Sequence, residues 1–220
     1  VPDVAHHHWS IDEREYARHE ARRGRRHAFE HLDPHRTALV VVDVVPFFVR
    51  DSAYVRGIVP QVNLLAAAVR ASGGTVAWVV PGYAPPSAKD RELFGDEVAE
   101  MYARSGTGGP DPSLSVVDGD LVVEKTGRSA WTPGSSELPR LLSERDVDTV
   151  VVAGTVTNVC VEHTARDASA AGLRVVLVAD ACAATRDQDH NATLHVVYRS
   201  YGDVRSTAEV LGLLGATDAG

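Results

Sequence analysis

From Thr37 onward the chain alternates between short, unbroken apolar runs rich in Val and longer stretches in which apolar positions recur every three or four residues. Residues 37–43, 75–80, 121–124, 149–154 and 174–180 are runs of the first kind, without the polar alternation of a strand that has one wet face. Such runs suit strands covered on both sides, as in a parallel sheet. Residues 58–71, 92–103, 137–143, 161–171, 189–198 and 208–214 carry the helical spacing between them. Strand, helix, strand repetition predicts right-handed crossovers and an α/β body of three layers, α/β/α.

Residues 11–32 stand apart, with no proline, a dense mix of Arg and Glu, and Ile11, Tyr16, Phe29 and Leu32 as their few large apolar residues. They read as a polar helical arm that ends before Asp33 and Pro34, with one face in solvent or against a neighbouring subunit. Ahead of the arm, His6, His7 and His8 suggest either a metal-binding cluster or, as expected here, a disordered tail or cloning remnant. Gly and Pro crowd residues 81–112, a stretch that suits a functional lid or a mobile excursion. The organisation expected is a tail and helical arm over 1–36 and a single domain over 37–220.

Composition narrows the function. At ~100–200 residues per domain, 220 residues with 44% apolar and 24% charged content are ordinary globular chemistry. A formal charge of −8 repels phosphate backbones, so no nucleic-acid partner is expected. No apolar run approaches the ~20 residues that span a bilayer, so no membrane partner is expected either. Two cysteines cannot make a disulfide framework, which points to a reducing cytoplasm and a thiol available for chemistry.

In open parallel sheets ligands bind beyond the carboxyl ends of strands, so polar residues closing apolar runs are the first candidates. Asp43, Lys125, Asp180 and the turn from Thr155 to Cys160 occupy such positions. Cys160 opens a helical pattern, where unpaired amides and the helix dipole stabilise a thiolate and lower its pKa. The alternative is a small buried hydrophobe. Asp43 and Lys125 make either a salt bridge closing two strand ends or, with Cys160, a base, a cation and a nucleophile.

These residues also carry a resemblance. The stretch Ala153-Gly-Thr-Val-Thr-Asn-Val-Cys160, continuing to Ala168, resembles the nucleophile segment of the isochorismatase-like cysteine hydrolases, and above all the branch of N-carbamoylsarcosine and ureidoacrylate amidohydrolases. Thr37-Ala-Leu-Val-Val-Val-Asp43 is similar to that family's first strand with its aspartate, and Glu124-Lys-Thr-Gly-Arg-Ser-Ala-Trp131 to its lysine motif. Asp180-Ala-Cys-Ala183 and Gly202-Asp-Val-Arg205 match later landmarks in order, so the similarity runs from about Thr37 to Leu214.

The resemblance implies a six-stranded parallel sheet of order 3-2-1-4-5-6, an Asp43, Lys125, Cys160 triad, and an oxyanion hole from the backbone N–H groups of Val156 and Cys160. It implies a cis peptide between Thr155 and Val156, and assembly as a homodimer or homotetramer. Two departures bear on the substrate. Asp43-Val-Val-Pro-Phe-Phe48 replaces the family's Asp-Met-Gln-Asn-Asp-Phe, which makes the wall beside the base more apolar. Trp78-Val-Val-Pro-Gly-Tyr83 lacks the Asp-x-His metal motif of nicotinamidases, so neither a metal nor any other cofactor is expected, and nicotinamide is not the expected substrate.

Further candidates are open to two readings each. Arg128 either clamps a substrate carboxylate or makes a surface ion pair. Phe47, Phe48 and Trp131 line the pocket or belong to the core. Asn158 orients the turn or contacts substrate. Glu162 and His163 are expected to face solvent or a subunit contact, Cys182 to be buried and inert, and His190 and His195 to be solvated.

The leading expectation is a cysteine amidohydrolase acting on a small amide, lactam or ureido compound, a streptothricin-type lactam among the possibilities. The alternatives are an ether or vinyl-ether hydrolase that uses Asp43 without the thiol, and a non-catalytic small-molecule-binding protein on the same fold. Gly154-Thr-Val-Thr-Asn lacks the glycine spacing of a dinucleotide fingerprint.

Overall fold

All five apolar runs become strands in the computed structural model, which describes residues 3–215. β1 (Thr37–Val42), β2 (Thr75–Pro81), β3 (Leu121–Lys125), β4 (Thr149–Thr155), β5 (Arg174–Ala183) and β6 (Asp203–Arg205) pair in parallel in the order β3-β2-β1-β4-β5-β6. This is the expected order, and the sixth strand falls within the Gly202–Arg205 landmark. The ends of the expected tail and domain, residues 1–2 and 216–220, lie outside the described residues.

The helices are α1 (Glu13–Arg23), α2 (Pro46–Asp51), α3 (Ala53–Ala71), α4 (Ala88–Phe94), α5 (Asp96–Ala103), α6 (Leu138–Ser143), α7 (Glu162–Ala170), α8 (Asp187–Ser200) and α9 (Thr207–Leu213). Successive side chains of a strand point to opposite faces, and β1 shows what each face meets. Ala38, Val40 and Val42 pack with Leu138, Leu142, Ala165 and Leu194 from α6, α7 and α8. Leu39 and Val41 pack with Val62, Leu65 and Val210 from α3 and α9. Both faces are therefore dry, which is why β1 carries no polar alternation.

Several boundaries moved for identifiable reasons. α3 starts at Ala53 rather than 58, because Ser52 caps it through the Val55 N–H, and it runs through Pro60 because Val55, Ile58, Val62 and Leu65 are buried along it. The helix expected over 92–103 is two helices broken at Gly95, which has φ +78°. β5 continues past Asp180 to Ala183, and the Asp180 carboxylate accepts the Thr207 N–H and hydroxyl at the start of α9 instead of facing a ligand. β3 is an edge strand with Val122 53% exposed, so that run is dry on one side only.

The N-terminal region differs most from expectation. α1 is stopped by left-handed Gly24, and residues 24–33 continue as irregular chain. The arm packs on its own body. Buried Asp203 accepts the Ala28 and Phe29 N–H groups at 2.7 and 2.9 Å, the Tyr198 hydroxyl donates to the Arg26 carbonyl, and Tyr16 and His19 meet the Tyr198 ring edge-on. Polar and aromatic groups make this contact, so a count of apolar residues could not reveal it. Nor are the early histidines a disordered tail, since the His7 ring is buried between Tyr54 and His190.

Gly154 allows the tightest approach in the sheet. It has φ +119°, and a Cβ there would lie 2.1 Å from the Val42 carbonyl oxygen, which is backbone and cannot yield. Gly154→Ala is expected to lower stability by roughly 1–3 kcal/mol or more, measured by urea denaturation. Gly24→Ala, with φ +73° and open space around it, is the control and carries only the left-handed penalty of about 1 kcal/mol.

Candidate active site

The strand order reverses between β1 and β4, and such a switch point is where open parallel sheets place a ligand crevice. Asp43 follows β1 directly at this point, 2% exposed and held at φ +57° with its N–H donated to the Val79 carbonyl. Asp tolerates the left-handed region better than most residues. Lys125 ends β3, two strands away, and its long stem crosses the end of β2 to bring Nζ within 2.9 Å of Asp43 Oδ2. Nζ also donates to the Gly127 carbonyl at 3.2 Å.

Cys160 reaches the same place from β4. After Thr155 the peptide to Val156 is cis, as the resemblance implied, and a single π-helical turn, Thr157–Val161, leads into α7. The turn is anchored by the Val159 and Val161 N–H groups, both donated to the Val156 carbonyl. The Cys160 thiol is half-buried and close enough to Asp43 and Lys125 for both to act on its ionisation.

Burial dominates the electrostatics here. It raises Asp43 above the usual carboxylate range even though Lys125 pulls the other way. Burial opposes the charge on Lys125 too, but Asp43 and then the Cys160 sulfur outweigh it, and the ammonium is held above its usual value. The Cys160 thiol is pushed up to about 12, by burial first and by the Asp43 carboxylate second, with Lys125 compensating only in part. The lowered pKa expected at a helix start is thus corrected: desolvation and a neighbouring negative charge exceed what the amides supply. At rest the group is a thiol beside a carboxylate. Asp43 Oδ1 has no hydrogen-bond partner among the described residues, although the thiol is near enough to perturb it, so a lone pair on the base is uncommitted.

The other candidates scatter. Val156 is half-buried and Asn158 exposed on the turn itself. Phe48 is half-buried in α2, edge-on to Phe47 at 4.9 Å and packed partly against the core on the α3 side. Arg128 is exposed, with its guanidinium over the Phe94 ring at 5.5 Å. Trp131 does not accompany Lys125 into the crevice. It lines a separate cleft of about 380 Å³ with Arg36, Asp146 and Leu173, residues that precede β1, β4 and β5 and so mark the opposite end of the sheet. Cys182 is fully buried and raised well above the usual thiol range by desolvation. Glu162 is not free to solvent, since it accepts from Arg166 and Thr193.

Sequence reasoning missed His190, expected in solvent and found fully buried with Nδ1 at 3.0 Å from the Thr157 hydroxyl. Its only signal was its place on the side of α8 that carries Thr193, Leu194 and Val197, the buried stripe of that helix. Among the described residues no three His, Cys, Asp or Glu side chains cluster as metal ligands, and no helix is long and apolar enough to cross a membrane.

The raised Cys160 value has a measurable consequence. A thiol in the unfolded chain ionises at about pH 8.5, whereas the native one holds its proton to about 12. The stability it contributes is complete below the unfolded value and is lost as pH rises towards the folded one. Urea midpoints followed from about pH 7 to about pH 10 are expected to fall more steeply for the parent chain than for Cys160→Ala. Equal slopes would show that the native thiol is not held protonated.

Known proteins share this arrangement of elements. A family model described as an isochorismatase domain matches residues 37–209. An isochorismatase family protein of Escherichia coli O157:H7, YecD, is 31% identical over 83% of this chain and 98% of its own length. The N-carbamoylsarcosine amidase of an Arthrobacter species is 29% identical over 72% of this chain and 62% of its own. The crystal structure of a cysteine hydrolase from Pseudomonas syringae pv. phaseolicola 1448A superposes with a TM-score of 0.74 at 29% identity, covering 84% of this chain and 95% of that one. With the matched region running from the first residue of β1 into α9, the chain belongs to the isochorismatase family of hydrolases.

Proposed function

We propose that the protein is a cysteine-dependent amidohydrolase that cleaves the C–N bond of a small amide, lactam or ureido compound through a covalent acyl-enzyme. The observation that carries this reading is the meeting of Asp43, Lys125 and Cys160 at the crevice where the strand order reverses. The amidase named among its relatives supports the bond class.

In this mechanism the Cys160 sulfur bonds to the substrate carbonyl carbon while the thiol proton passes to Asp43, whose Oδ1 is uncommitted. Coupling the two events suits a resting thiol, because a free thiolate never has to accumulate. The tetrahedral oxyanion accepts hydrogen bonds from the Val156 and Cys160 N–H groups. Asp43 then returns the proton to the leaving nitrogen, the C–N bond breaks and a thioester remains. Water attacks the thioester, giving one proton to Asp43; the acid departs and the proton goes back to sulfur. Lys125 stays charged throughout and keeps the carboxylate ionised between transfers.

Pocket walls come from the loops around this crevice, with Phe48, Arg128 and Asn158 as candidate contacts and an apolar side next to Asp43. The same reading takes the protein to work in a reducing cytoplasm, where both free thiols survive, and to assemble as a homodimer or homotetramer, which light scattering on the purified chain tests.

Ammonia release from N-carbamoylsarcosine, simple primary amides, a ureido acid and nicotinamide measures the activity directly. Cys160→Ala is expected to lower turnover at least about 1,000-fold while the chain stays folded, and substrate is expected to protect the parent against inactivation by iodoacetamide. Near-normal turnover in Cys160→Ala would overturn the thiol mechanism and favour the ether-hydrolase alternative, which uses Asp43 alone.

A further inference from the structure

The turn that carries Cys160 rests on a buried stack of rings that the mechanism above leaves unused. Thr157 opens the turn and is fully buried, and its hydroxyl meets His190 Nδ1 at 3.0 Å. His190 comes from the first turn of α8 and is 0% exposed. The His7 ring lies flat on it, centroids 4.3 Å apart and planes 11° from parallel, and the other face of His7 lies on Tyr54 of α3 at 4.0 Å and 4°.

His7 is locked at both nitrogens. The Ala184 N–H donates to Nε2 at 2.9 Å, so Nε2 carries no proton, and Nδ1 donates to Asp187 at 2.7 Å. The backbone around it is tied down as well. The Ala5 N–H donates to the Ala53 carbonyl at 3.0 Å, and Arg56 donates to the Asp3 carbonyl at 2.7 Å. Asn191 brackets the other side, donating to the His8 carbonyl and accepting the Ser10 N–H, each at 2.9 Å. The Ala5 carbonyl sits so close to Gly57 that a Cβ there would be 2.0 Å from its oxygen.

His190 is an expensive residue to bury. Its Nε2 has no partner in hydrogen-bonding geometry among the described residues, although the Ala179 carbonyl acts on the ring from nearby. Burial pushes it down to about 3, so the ring is neutral and makes its bond to a hydroxyl in either tautomer. Phe would stack equally well and leave no buried nitrogen unpaired. What His190 has that Phe lacks is the contact with Thr157.

We propose that His190 is a positioning residue that fixes, through Thr157, the turn aiming Cys160 at Asp43, and that His7 of the N-terminal segment clamps His190 in place. The proposal rests on the reading of Cys160 as the nucleophile. It makes the segment ahead of the arm a working part of the site.

Iodoacetamide is the probe, used on the full chain, with alkylation of Cys160 and Cys182 mapped by peptide mass as a function of pH. In the parent, Asp43 takes the thiol proton, and Cys160 reacts near neutral pH with little pH dependence. Thr157→Val and His190→Phe are expected to slow that reaction about tenfold at neutral pH and to restore the steep rise with pH of an ordinary thiol. Thr157→Ser and His190→Asn, which keep a hydrogen-bonding atom close to the same place, recover most of the parent rate, and His7→Ala lies between.

Buried Cys182 reports unfolding: a variant that labels quickly there has lost its fold, and the His7→Ala comparison then decides. Parent-like rates and pH profiles at Cys160 in Thr157→Val, or in His7→Ala when Thr157→Val has unfolded, overturn the positioning role. Near-normal turnover in a folded Cys160→Ala chain sinks the nucleophile reading instead, so the two failures are distinguishable.

Discussion

A carboxylate and an ammonium, each about 3% exposed and 2.9 Å apart, tie the edge of the sheet to its centre. Neither charge is tolerable alone, since removing one partner of a buried pair costs about 3–5 kcal/mol. Asp43 is fixed by the left-handed end of β1 and Lys125 by the register that sets it beside Pro81. The pair therefore fixes the spacing of β1 and β3 across β2. It also sets the field felt by Cys160, where the carboxylate adds to burial in keeping that sulfur a thiol.

The body of the fold was legible because both faces of a parallel sheet demand the same thing of a strand. β1, β2, β4 and β5 read as unbroken apolar runs, and the place where the order reverses followed from the resemblance. Strand ends then named Asp43 and Lys125 before any geometry was known. β6, three residues long, has no periodicity to read and was visible only through the resemblance.

What stayed hidden has a common cause: the contacts are made by residues usually found in solvent. The arm is held by the Asp203 carboxylate on backbone amides and by His19 and Tyr16 against Tyr198. His7 is stacked between the rings of Tyr54 and His190. The protonation of Cys160 was misjudged for a related reason. A helix start can be seen in a sequence, whereas the depth of a thiol and its distance from a carboxylate on another strand cannot. Trp131 follows Lys125 by only six positions, yet the chain carries it to the far end of the sheet.

The ammonium belongs to an edge strand of the sheet. β3 pairs with β2 alone and leaves Val122 half in water. Local opening free energies are lowest where a segment has few buried neighbours and one free flank, so heat detaches this ribbon while the dry interior is still intact. Thermal inactivation then precedes global melting, and the temperature at which the enzyme stops working reports fraying at a margin rather than collapse of the core.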